Sequence, residues 1–229
     1  MRFIYYDTET TGLNFKKDRI IEIAAYDPYN NKSFATLINP QMEIPKESIA
    51  ICNITNDMVN DAPYFKEAIN DFANFCEGEV LLIAHNNDAF DKLFLEEEGS
   101  RSSFTLPSNW KFLDSLKWAR KYRPDLPRHS LQYLREIYGI KKNQAHRALD
   151  DVMVLYQVFS SMIDDLDVKT VIELMEKNKN FCMPFGKHQG KPLKSVPAHY
   201  ISWLNKNGAF DREDNQKLKE ECMRLGILK

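Results

Sequence analysis

The sequence lacks any apolar run long enough to cross a membrane as a helix. Its longest purely aliphatic run is Val80–Ala84, far below the roughly 18 residues that a membrane helix needs. The N-terminus runs from Met1 straight into a strand-like segment and does not show the plan of a signal peptide. We therefore expect no membrane partner and a cytoplasmic location.

Cysteine is scarce as well. The chain has four cysteines among its 229 residues. They show neither the paired spacing of a metal site nor the pattern of a small disulfide-rich domain. Such a pattern is typical of reduced thiols in the cytosol. The sequence thus argues against both a cysteine-based zinc module and a small secreted scaffold.

No large excess of charge is present either. The 31 basic and 33 acidic residues give a net charge of −2, which excludes a strongly basic protein that coats nucleic acid. Basic residues are nevertheless concentrated in two places. Residues 110–147 hold ten basic and three acidic groups, a net of +7, and residues 180–229 hold nine and five, a net of +4. These clusters fit solvated helix faces as well as an electrostatic track beside an acidic site.

Short apolar runs followed by amphipathic stretches predict an α/β fold. Three early strands joined by short turns imply antiparallel neighbours, and the continuous apolar run Val80–Ala84 indicates a strand buried on both faces. Trp110–Asp114 is the predicted last strand, and Ala148–Ile163 is the longest predicted helix. This order of elements predicts a mixed sheet flanked by helices. The three early strands are predicted at Phe3–Asp7, Arg19–Tyr26 and Ser33–Asn39.

A polar stretch, Asn178-Lys179-Asn180, predicts a boundary between a large domain over residues 1–179 and a small basic domain over residues 180–229. Gly186 and Gly190 suit a tight chain reversal, so a small hairpin is expected there. A short helix and a final helix capped by Asp211 are expected to follow.

The large domain contains a closely spaced acidic pair, Asp7 and Glu9. They lie two residues apart at the end of a predicted strand, so both carboxylates point to the same face. Adjacent carboxylates repel each other unless a cation lies between them, and Mg²⁺ takes oxygen ligands. The pair therefore fits half of a metal site, although an acidic strand end would show the same pattern.

Further acidic residues and a histidine follow along the chain. Asp91 lies in the first turn of a predicted helix. On the Ala148–Ile163 helix, Asp151 lies about 60° from the centre of the apolar stripe and Asp150 about 160° from it, so Asp151 is predicted to face the sheet. His146 precedes that helix, and an imidazole with a pKa near 6.5 can accept a proton from an attacking water at neutral pH.

Four inward-facing carboxylates without cations would be severely destabilising. A pair of divalent metal ions removes that repulsion, and such pairs stabilise the attacking and leaving oxygens of phosphoryl transfer. The sequence therefore predicts a metal-dependent reaction at a phosphate ester.

The segments that carry these residues resemble the three motifs of the DEDDh-type 3′→5′ exonucleases, the group that includes the proofreading subunit of the replicative polymerase. They are Asp7-Thr8-Glu9-Thr10-Thr11-Gly12, His85-Asn86 with Phe90-Asp91, and His146-Arg147-Ala148-Leu149-Asp150-Asp151. The resemblance implies a ribonuclease H-like fold with a mixed five-stranded sheet. It also implies the release of nucleoside 5′-monophosphates from a 3′ end.

The same resemblance implies a role for each matching residue. Two Mg²⁺ or Mn²⁺ ions would be bound by Asp7, Glu9, Asp91 and Asp151, and His146 would be the general base. Contacts to the substrate would come from Thr10, Gly12, Leu13 and Asn86. Leu13 matches an apolar residue that packs against the terminal base in this family.

The C-terminal segment from Met183 to Leu204 resembles the appended segment of bacterial exodeoxyribonuclease X, a DNA-directed relative. The resemblance implies a DNA partner, at a single-stranded 3′ end or a duplex terminus, and a nucleic-acid contact from residues 180–229. Lys187 and Lys191 are predicted to bind the strand. Tyr200 and Trp203 fit base stacking, but they are interpreted as core residues of the small domain. Phosphate contact and solvent exposure stay equally open for Lys117, Arg120, Lys121, Arg123 and Arg128.

Two alternatives remain open beside the exodeoxyribonuclease. An exoribonuclease that trims RNA 3′ ends would differ in its contacts to the 2′-hydroxyl, and no motif here reveals them. A non-catalytic nucleic-acid-binding module of the same fold is disfavoured, because such a module gains nothing from uncompensated buried acids.

Overall fold

A computed structural model describes residues 1–141, 148–176 and 182–228. The chain divides into two units, Met1–Val168 and Lys169–Lys229. The predicted boundary after residue 179 falls among residues 177–181, outside the described residues, and stays a prediction. Within the described ranges, every helix is too short or too polar to serve as a membrane span.

The first unit is built on a mixed five-stranded sheet with the order β3-β2-β1-β4-β5. The pairs β1/β2 and β2/β3 are antiparallel, whereas β1/β4 and β4/β5 are parallel. The predicted mixed sheet is thereby confirmed. The strands are β1 (Arg2–Thr10), β2 (Ile20–Asp27), β3 (Lys32–Leu37), β4 (Val80–Ala84) and β5 (Trp110–Asp114).

Helices cover both faces of this sheet. Tyr6 of β1 contacts Phe72 on one face, whereas the neighbouring Tyr5 contacts Phe159 on the other, as alternation along a strand requires. Phe72 belongs to α3 and Phe159 to α7. The helices of this unit are α1 (Lys46–Cys52), α2 (Asn56–Val59), α3 (Phe65–Phe75), α4 (Asp91–Ser102), α5 (Ser115–Tyr122), α6 (Leu131–Ile137) and α7 (Ala148–Ile163).

The central strands are buried because their sequences are continuously apolar. Every residue of β4 is buried, and β2 is buried along nearly its whole length, the pattern of strands covered on both faces. The only charged residues of β2 are Glu22 and Asp27, and both are buried. A buried carboxylate needs hydrogen bonds or a cation. We therefore expect polar partners for Glu22 in this part of the sheet.

The loop between β1 and β2 is held by the C-terminal half of α4. Arg19 forms a two-pronged ion pair with Glu98, with Nε–Oε1 and Nη2–Oε2 distances of 2.5 and 3.0 Å. Arg101 donates to the backbone carbonyls of Phe15 and Asp18, both at 2.9 Å. These contacts fix the loop that follows the acidic end of β1.

The second unit has its own apolar core, which includes Ile201, Leu204 and Phe210. Its described helices are the Lys169–Glu176 part of α8 (Val168–Glu176), α9 (Ala198–Lys206) and α10 (Gln216–Arg224). The final helix starts at Gln216 rather than at the predicted cap Asp211, which ends a short 3-10 turn instead.

The chain reversal at Gly186–Gly190 is present, but it is not an extended hairpin. A single antiparallel bridge joins Cys182 to Pro192, with hydrogen bonds from Met183 N–H to the Lys191 carbonyl and from Gly190 N–H to the Met183 carbonyl, both 2.8 Å. Proline has no N–H to donate to a ladder. Pro184 and Pro192 therefore prevent the bridge from extending into two paired strands.

Candidate active site

Three carboxylates converge on the α7 face of the sheet. One oxygen from each of Asp7, Glu9 and Asp151 lies within 4.8 Å of the others. Asp7 and Glu9 reach the same face because they alternate along β1. Asp151 comes from the first turns of α7, and Asp150 is not part of this group. The structure therefore brings together residues that are 144 positions apart in sequence, from 7 to 151.

Asp151 is oriented by a neighbouring helix. Gln132 of α6 donates from Nε2 to Asp151 Oδ1 at 3.1 Å. A side-chain amide that bonds one carboxylate oxygen restricts the rotation of the whole group, and the second oxygen keeps its direction. Gln132 therefore pre-orients Asp151 toward Asp7 and Glu9.

Asp91 is placed beside Thr8 of β1 by the N-terminus of α4. It is the first residue of that helix and is buried. Its Oδ1 accepts hydrogen bonds from the Thr8 backbone N–H at 3.1 Å and the Thr8 hydroxyl at 2.8 Å. Thr8 lies between Asp7 and Glu9 in β1, so this contact couples α4 to the acidic end of the strand.

The site carries strong electrostatic repulsion. Burial, followed by repulsion from Asp91, Glu9, Asp151 and Glu22, raises the pKa of Asp7 well above its usual range. Burial also raises the pKa of Asp91 to about 7, although its hydrogen bonds from Thr8 oppose that shift. Hard carboxylate oxygens that repel each other at this separation fit a divalent cation. The donor set can therefore hold a metal ion such as Mg²⁺ or Mn²⁺.

Comparison with known proteins identifies the chain. A family model described as Exonuclease matches residues 4–159, more than half of the chain. The chain belongs to this exonuclease family. A second model, whose description names a quorum-sensing-regulated virulence factor, matches residues 169–216 in the second unit.

Curated relatives of this exonuclease include plant and bacterial proteins. Exonuclease DPD1 (chloroplastic/mitochondrial) of Arabidopsis thaliana is 40% identical over 179 residues, covering 71% of this chain and 56% of that protein. DNA polymerase III subunit epsilon of Treponema pallidum is 41% identical over 167 residues, covering 70% and 76%. The PolC-type DNA polymerase III of Caldanaerobacter subterraneus is 31% identical over 215 residues, covering 90% and 14%. The chain thus spans 56% of the length of DPD1.

Solved structures show the same fold. Exonuclease X in complex with 5′ overhanging duplex DNA has a TM-score of 0.56 at 23% identity, covering 73% of this chain and 96% of that chain. The nuclease domain of 3′hExo, a DEDDh family member bound to rAMP, has a TM-score of 0.60 at 18% identity, covering 71% and 92%. The predicted ribonuclease H-like fold is therefore confirmed, and the match to the Exonuclease model confirms the predicted family and the exonuclease class.

The residues predicted to contact substrate lie around the β1–β2 loop and after β4. Thr10 donates from its hydroxyl to the Gly12 carbonyl at 2.6 Å, and Leu13 beside it is 86% exposed. A Cβ on Gly12 would lie 2.5 Å from an Asp18 carboxylate oxygen, so a larger residue at this position would require the Asp18 side chain to move. Asn86 has a left-handed backbone, with φ of 73°, and donates its N–H to Asp114 at 3.2 Å.

Other predicted residues lie elsewhere or outside the described ranges. His146 and Arg147 fall in residues 142–147, outside those ranges, so the role of His146 stays a prediction. Lys187 and Lys191 belong to the second unit. For five basic residues of segment 110–147, the sequence left phosphate contact and solvent exposure equally open. Of these, Lys117 forms an ion pair with Asp88 and Arg123 forms one with Asp125.

Glu22 is a site residue that the sequence analysis missed. It lies directly opposite Glu9 in the β1/β2 register, and its Oε2 accepts a hydrogen bond from the Ala148 N–H at 3.2 Å. That N–H opens α7, so Glu22 fixes the start of the helix that carries Asp151. A charged residue inside the apolar sequence Ile20-Ile21-Glu22-Ile23 was the signal that could have revealed it.

We predict that Glu22→Ala weakens both the fold and the site. Loss of the hydrogen bond leaves the first N–H of α7 unpaired, which should lower the free energy of unfolding by about 1–2 kcal/mol. The displaced Asp151 should also raise the Mg²⁺ concentration needed for half-maximal activity. Glu22→Gln is the matched control, because its amide oxygen can still accept from Ala148. Equal damage by the two variants in urea unfolding and metal titration would contradict the positioning role.

The raised pKa of Asp91 predicts an unusual pH dependence for the metal-free chain. Its folded pKa of about 7 exceeds the unfolded value of about 3.9, so its contribution to stability is fully present below about pH 4 and is lost as pH rises through about 7. Asp91→Asn can still accept from Thr8 and should remove this dependence. We expect the urea concentration at the unfolding midpoint, measured in EDTA, to decrease as the pH is raised from about 5 to about 8. This decrease should be steeper for the wild type than for the variant. Parallel curves for the two proteins would refute the expectation.

Proposed function

We propose that this exonuclease is a divalent-metal-dependent 3′→5′ exodeoxyribonuclease that releases nucleoside 5′-monophosphates from DNA 3′ ends. The observation that carries the proposal is the convergence of Asp7, Glu9 and Asp151 carboxylates within 4.8 Å of one another in an exonuclease-family fold. A phosphodiester is repelled by such a cluster unless cations neutralise it. Metal and substrate are therefore expected to depend on the same carboxylates.

The proposed ligands of two Mg²⁺ or Mn²⁺ ions are Asp7, Glu9, Asp151 and Asp91. When bound, such a pair supplies electrostatic stabilisation to both the attacking and the leaving oxygen of phosphodiester hydrolysis. The contribution of the chain is to hold the carboxylates in place before the substrate arrives. Gln132 restrains Asp151 and Thr8 restrains Asp91, which supports a preorganised site.

His146 is the proposed general base. Its neutral imidazole would accept a proton from the water whose oxygen bonds to the scissile phosphorus. The bond from that phosphorus to the 3′ oxygen of the penultimate nucleotide then breaks and releases a 5′-monophosphate. The leaving 3′ oxygen takes a proton from solvent water to become the new 3′-hydroxyl, and the His146 imidazolium returns its proton to solvent. His146 lies two residues before Ala148 in sequence, and Ala148 begins the helix that carries Asp151.

The β1–β2 loop is the proposed contact for the terminal nucleotide. The exposure of Leu13 supports its packing against the terminal base, because an apolar side chain gains from covering its surface. Thr10, Gly12 and Asn86 would complete this contact, and Lys187 and Lys191 would bind the strand from the second unit. Arg19, Arg101 and Glu98 hold the loop in position.

DNA is the proposed substrate, and RNA is the alternative. Two neighbouring structures are complexes with DNA, namely Exonuclease X with 5′ overhanging duplex DNA and an E. coli ExoI-ssDNA complex. The latter has a TM-score of 0.63 at 19% identity, covering 78% of this chain and 43% of that chain. The 3′hExo structure instead contains rAMP, which favours the alternative. The predicted cytoplasmic location stays a prediction.

The decisive experiment compares 5′-labelled DNA and RNA strands of the same sequence with Mg²⁺, with Mn²⁺ and with EDTA. We expect a ladder that shortens one nucleotide at a time from the 3′ end of DNA and that requires the metal. Internal cuts alone, or a ladder in EDTA, would disprove the proposed reaction. Faster shortening of RNA than of DNA would replace the proposed substrate with the alternative.

We predict that His146→Ala loses most of its turnover but keeps its metal affinity. Removal of a general base costs about 10²- to 10⁴-fold, whereas the carboxylate ligands are unchanged. His129→Ala serves as the histidine control, because His129 donates a hydrogen bond from Nε2 to the Arg123 carbonyl, outside the carboxylate group. Thermal shifts with Mg²⁺ should match the wild type for His146→Ala. A lost thermal shift would make His146 a metal ligand rather than a base.

A further inference from the structure

The second unit presents a stacked pair of aromatic side chains, of which Tyr200 is partly buried against the apolar core and Trp203 is exposed. Trp203 of α9 is 56% exposed, which corrects its interpretation as a core residue. Its ring stacks on Tyr200 with a centroid distance of 5.9 Å and an interplanar angle of 22°. The core side of the same helix is formed by Ile201 and Leu204. We call Tyr200 and Trp203 the aromatic platform.

The aromatic platform is fixed from behind. The His188 ring meets Tyr200 edge-on at a centroid distance of 4.7 Å, and the Tyr200 hydroxyl accepts the Lys187 N–H at 3.3 Å. Gly186 has a left-handed φ of 75°, and a Cβ there would collide with the Tyr200 hydroxyl. These contacts hold the Tyr200 ring beneath Trp203, so a ligand that stacks on Trp203 meets a preorganised surface.

Positive charge is concentrated in the sequence around the aromatic platform. Residues 182–208 contain four lysines and neither aspartate nor glutamate. Lys187 contacts the Tyr200 hydroxyl through its backbone N–H, and Lys191 N–H bonds the carbonyl of His188, whose ring supports Tyr200. An aromatic face edged by lysines fits a ligand with alternating flat rings and negative charges.

A pocket adjoins the same face. It has a volume of about 510 Å³ and is lined by Phe185, Tyr200, Trp203 and Asn207, with Arg212 and Asp214 at its polar side. This volume lies within the range of small-molecule pockets, roughly 300–1,000 Å³. Its mixed aromatic and polar lining suits a nucleobase, which has apolar faces and hydrogen-bonding edges.

We propose that the aromatic platform binds a single-stranded nucleic acid, with a base stacked on Trp203 and its phosphates beside Lys187 and Lys191. Base–aromatic stacking and contacts from lysines to phosphates are the two components of sequence-tolerant strand binding. The inference rests on the proposed function for the class of ligand. It adds a binding site within the second unit, separate from the carboxylates that perform the hydrolysis.

Tryptophan fluorescence tests this site directly. The chain has three tryptophans, and Trp110 and Trp118 are only 6% and 1% exposed, so quenching by acrylamide or by a stacked base reports mainly on Trp203. The full-length protein in EDTA is titrated with a short oligo-dT strand and, in a second arm, with oligo-rU. We expect saturable quenching by at least one strand. Resistance to acrylamide, or no quenching by either strand, would overturn the inference.

Variants then separate stacking from charge. Fluorescence anisotropy of a labelled strand should show that Trp203→Ala raises Kd about 5- to 100-fold, whereas Trp203→Phe keeps most of the affinity. Tyr29→Ala, which removes an 81% exposed aromatic residue from the first unit, is the matched control and should bind like the wild type. Lys187→Ala with Lys191→Ala should flatten the dependence of log K on log salt by about 0.7 per phosphate lost.

The outcomes distinguish this inference from the proposed function. Wild-type affinity in Trp203→Ala would refute the aromatic platform but leave the nuclease ladder of the full chain untouched. Conversely, absence of a metal-dependent ladder in the wild type would refute the proposed reaction but leave strand binding in EDTA standing. A change in tryptophan fluorescence on addition of another protein, with no change on addition of either strand, would also count against the site.

Discussion

Replacing Asp151 with asparagine should lower the rate of exonuclease turnover by at least about a thousandfold. The carboxylate lies within 4.8 Å of those of Asp7 and Glu9, and removal of its charge weakens the stabilisation of charge in the transition state by several kcal/mol. The Gln132 amide can still bond a side-chain oxygen at position 151, so the fold should persist. Release of 5′-monophosphates from a labelled DNA strand measures the effect.

Asp150→Asn is the matched control for this experiment. It makes the same chemical change one residue earlier on α7, at a position that is not part of the carboxylate group. We expect turnover within about threefold of the wild type, since substitutions away from specialised features usually change energies by about 0.5 kcal/mol. A Mg²⁺-induced rise in melting temperature should survive in Asp150→Asn and shrink in Asp151→Asn. Equal activity of the two variants would remove Asp151 from the active site.

The largest effect on stability is expected from Arg19→Ala. Glu98 is 1% exposed, and Arg19 neutralises it with two hydrogen bonds. Removal of one partner of a buried pair leaves an uncompensated charge and costs about 3–5 kcal/mol. Arg101 also contacts Glu98, at 3.2 Å, so we expect about 3 kcal/mol, the lower end of that range. Urea unfolding of the metal-free protein measures this loss.

A surface pair on the same helix provides the comparison. Lys92 and Glu96 are partly exposed and lie 3.5 Å apart, so Lys92→Ala should cost at most about 0.5 kcal/mol. The double variant Arg19→Met with Glu98→Leu should recover most of the stability lost by Arg19→Ala, because no buried charge remains unpaired. A single variant within about 0.5 kcal/mol of the wild type would show that Arg101 alone neutralises Glu98.

Strong local patterns made the first unit readable from sequence. The continuous apolar run of β4 and the period of two in β1 depend on neighbours a few residues away, and both appear in the structure. Rotation at about 100° per residue separates Asp151 from Asp150 on α7, and the structure has Asp151 in the carboxylate group. Such features are set by the geometry of a single element.

Features that depend on contacts between distant elements were not readable. Glu22 acquires its role from Ala148, which is far from it in sequence, and Gln132 acquires its role from Asp151. Trp203 is different, because its position on the surface of α9 could have been worked out from the helical repeat alone. At about 100° per residue, Trp203 lies about 130° from the midpoint between Ile201 and Leu204, the buried residues of α9, so its side chain points away from the core. Its aromatic character alone had favoured the core.

The order of the sheet also determines when the enzyme becomes active during synthesis. β1 emerges first, but Asp7 and Glu9 gain their third partner only when α7 docks, after Asp151 has been made. Closing so long a loop is slow compared with forming local helices and turns. A partly synthesised chain that ends before α7 therefore lacks Asp151 and with it the complete carboxylate group. Under the proposed function, we expect nuclease activity to begin only after α7 has been made and has docked on the sheet.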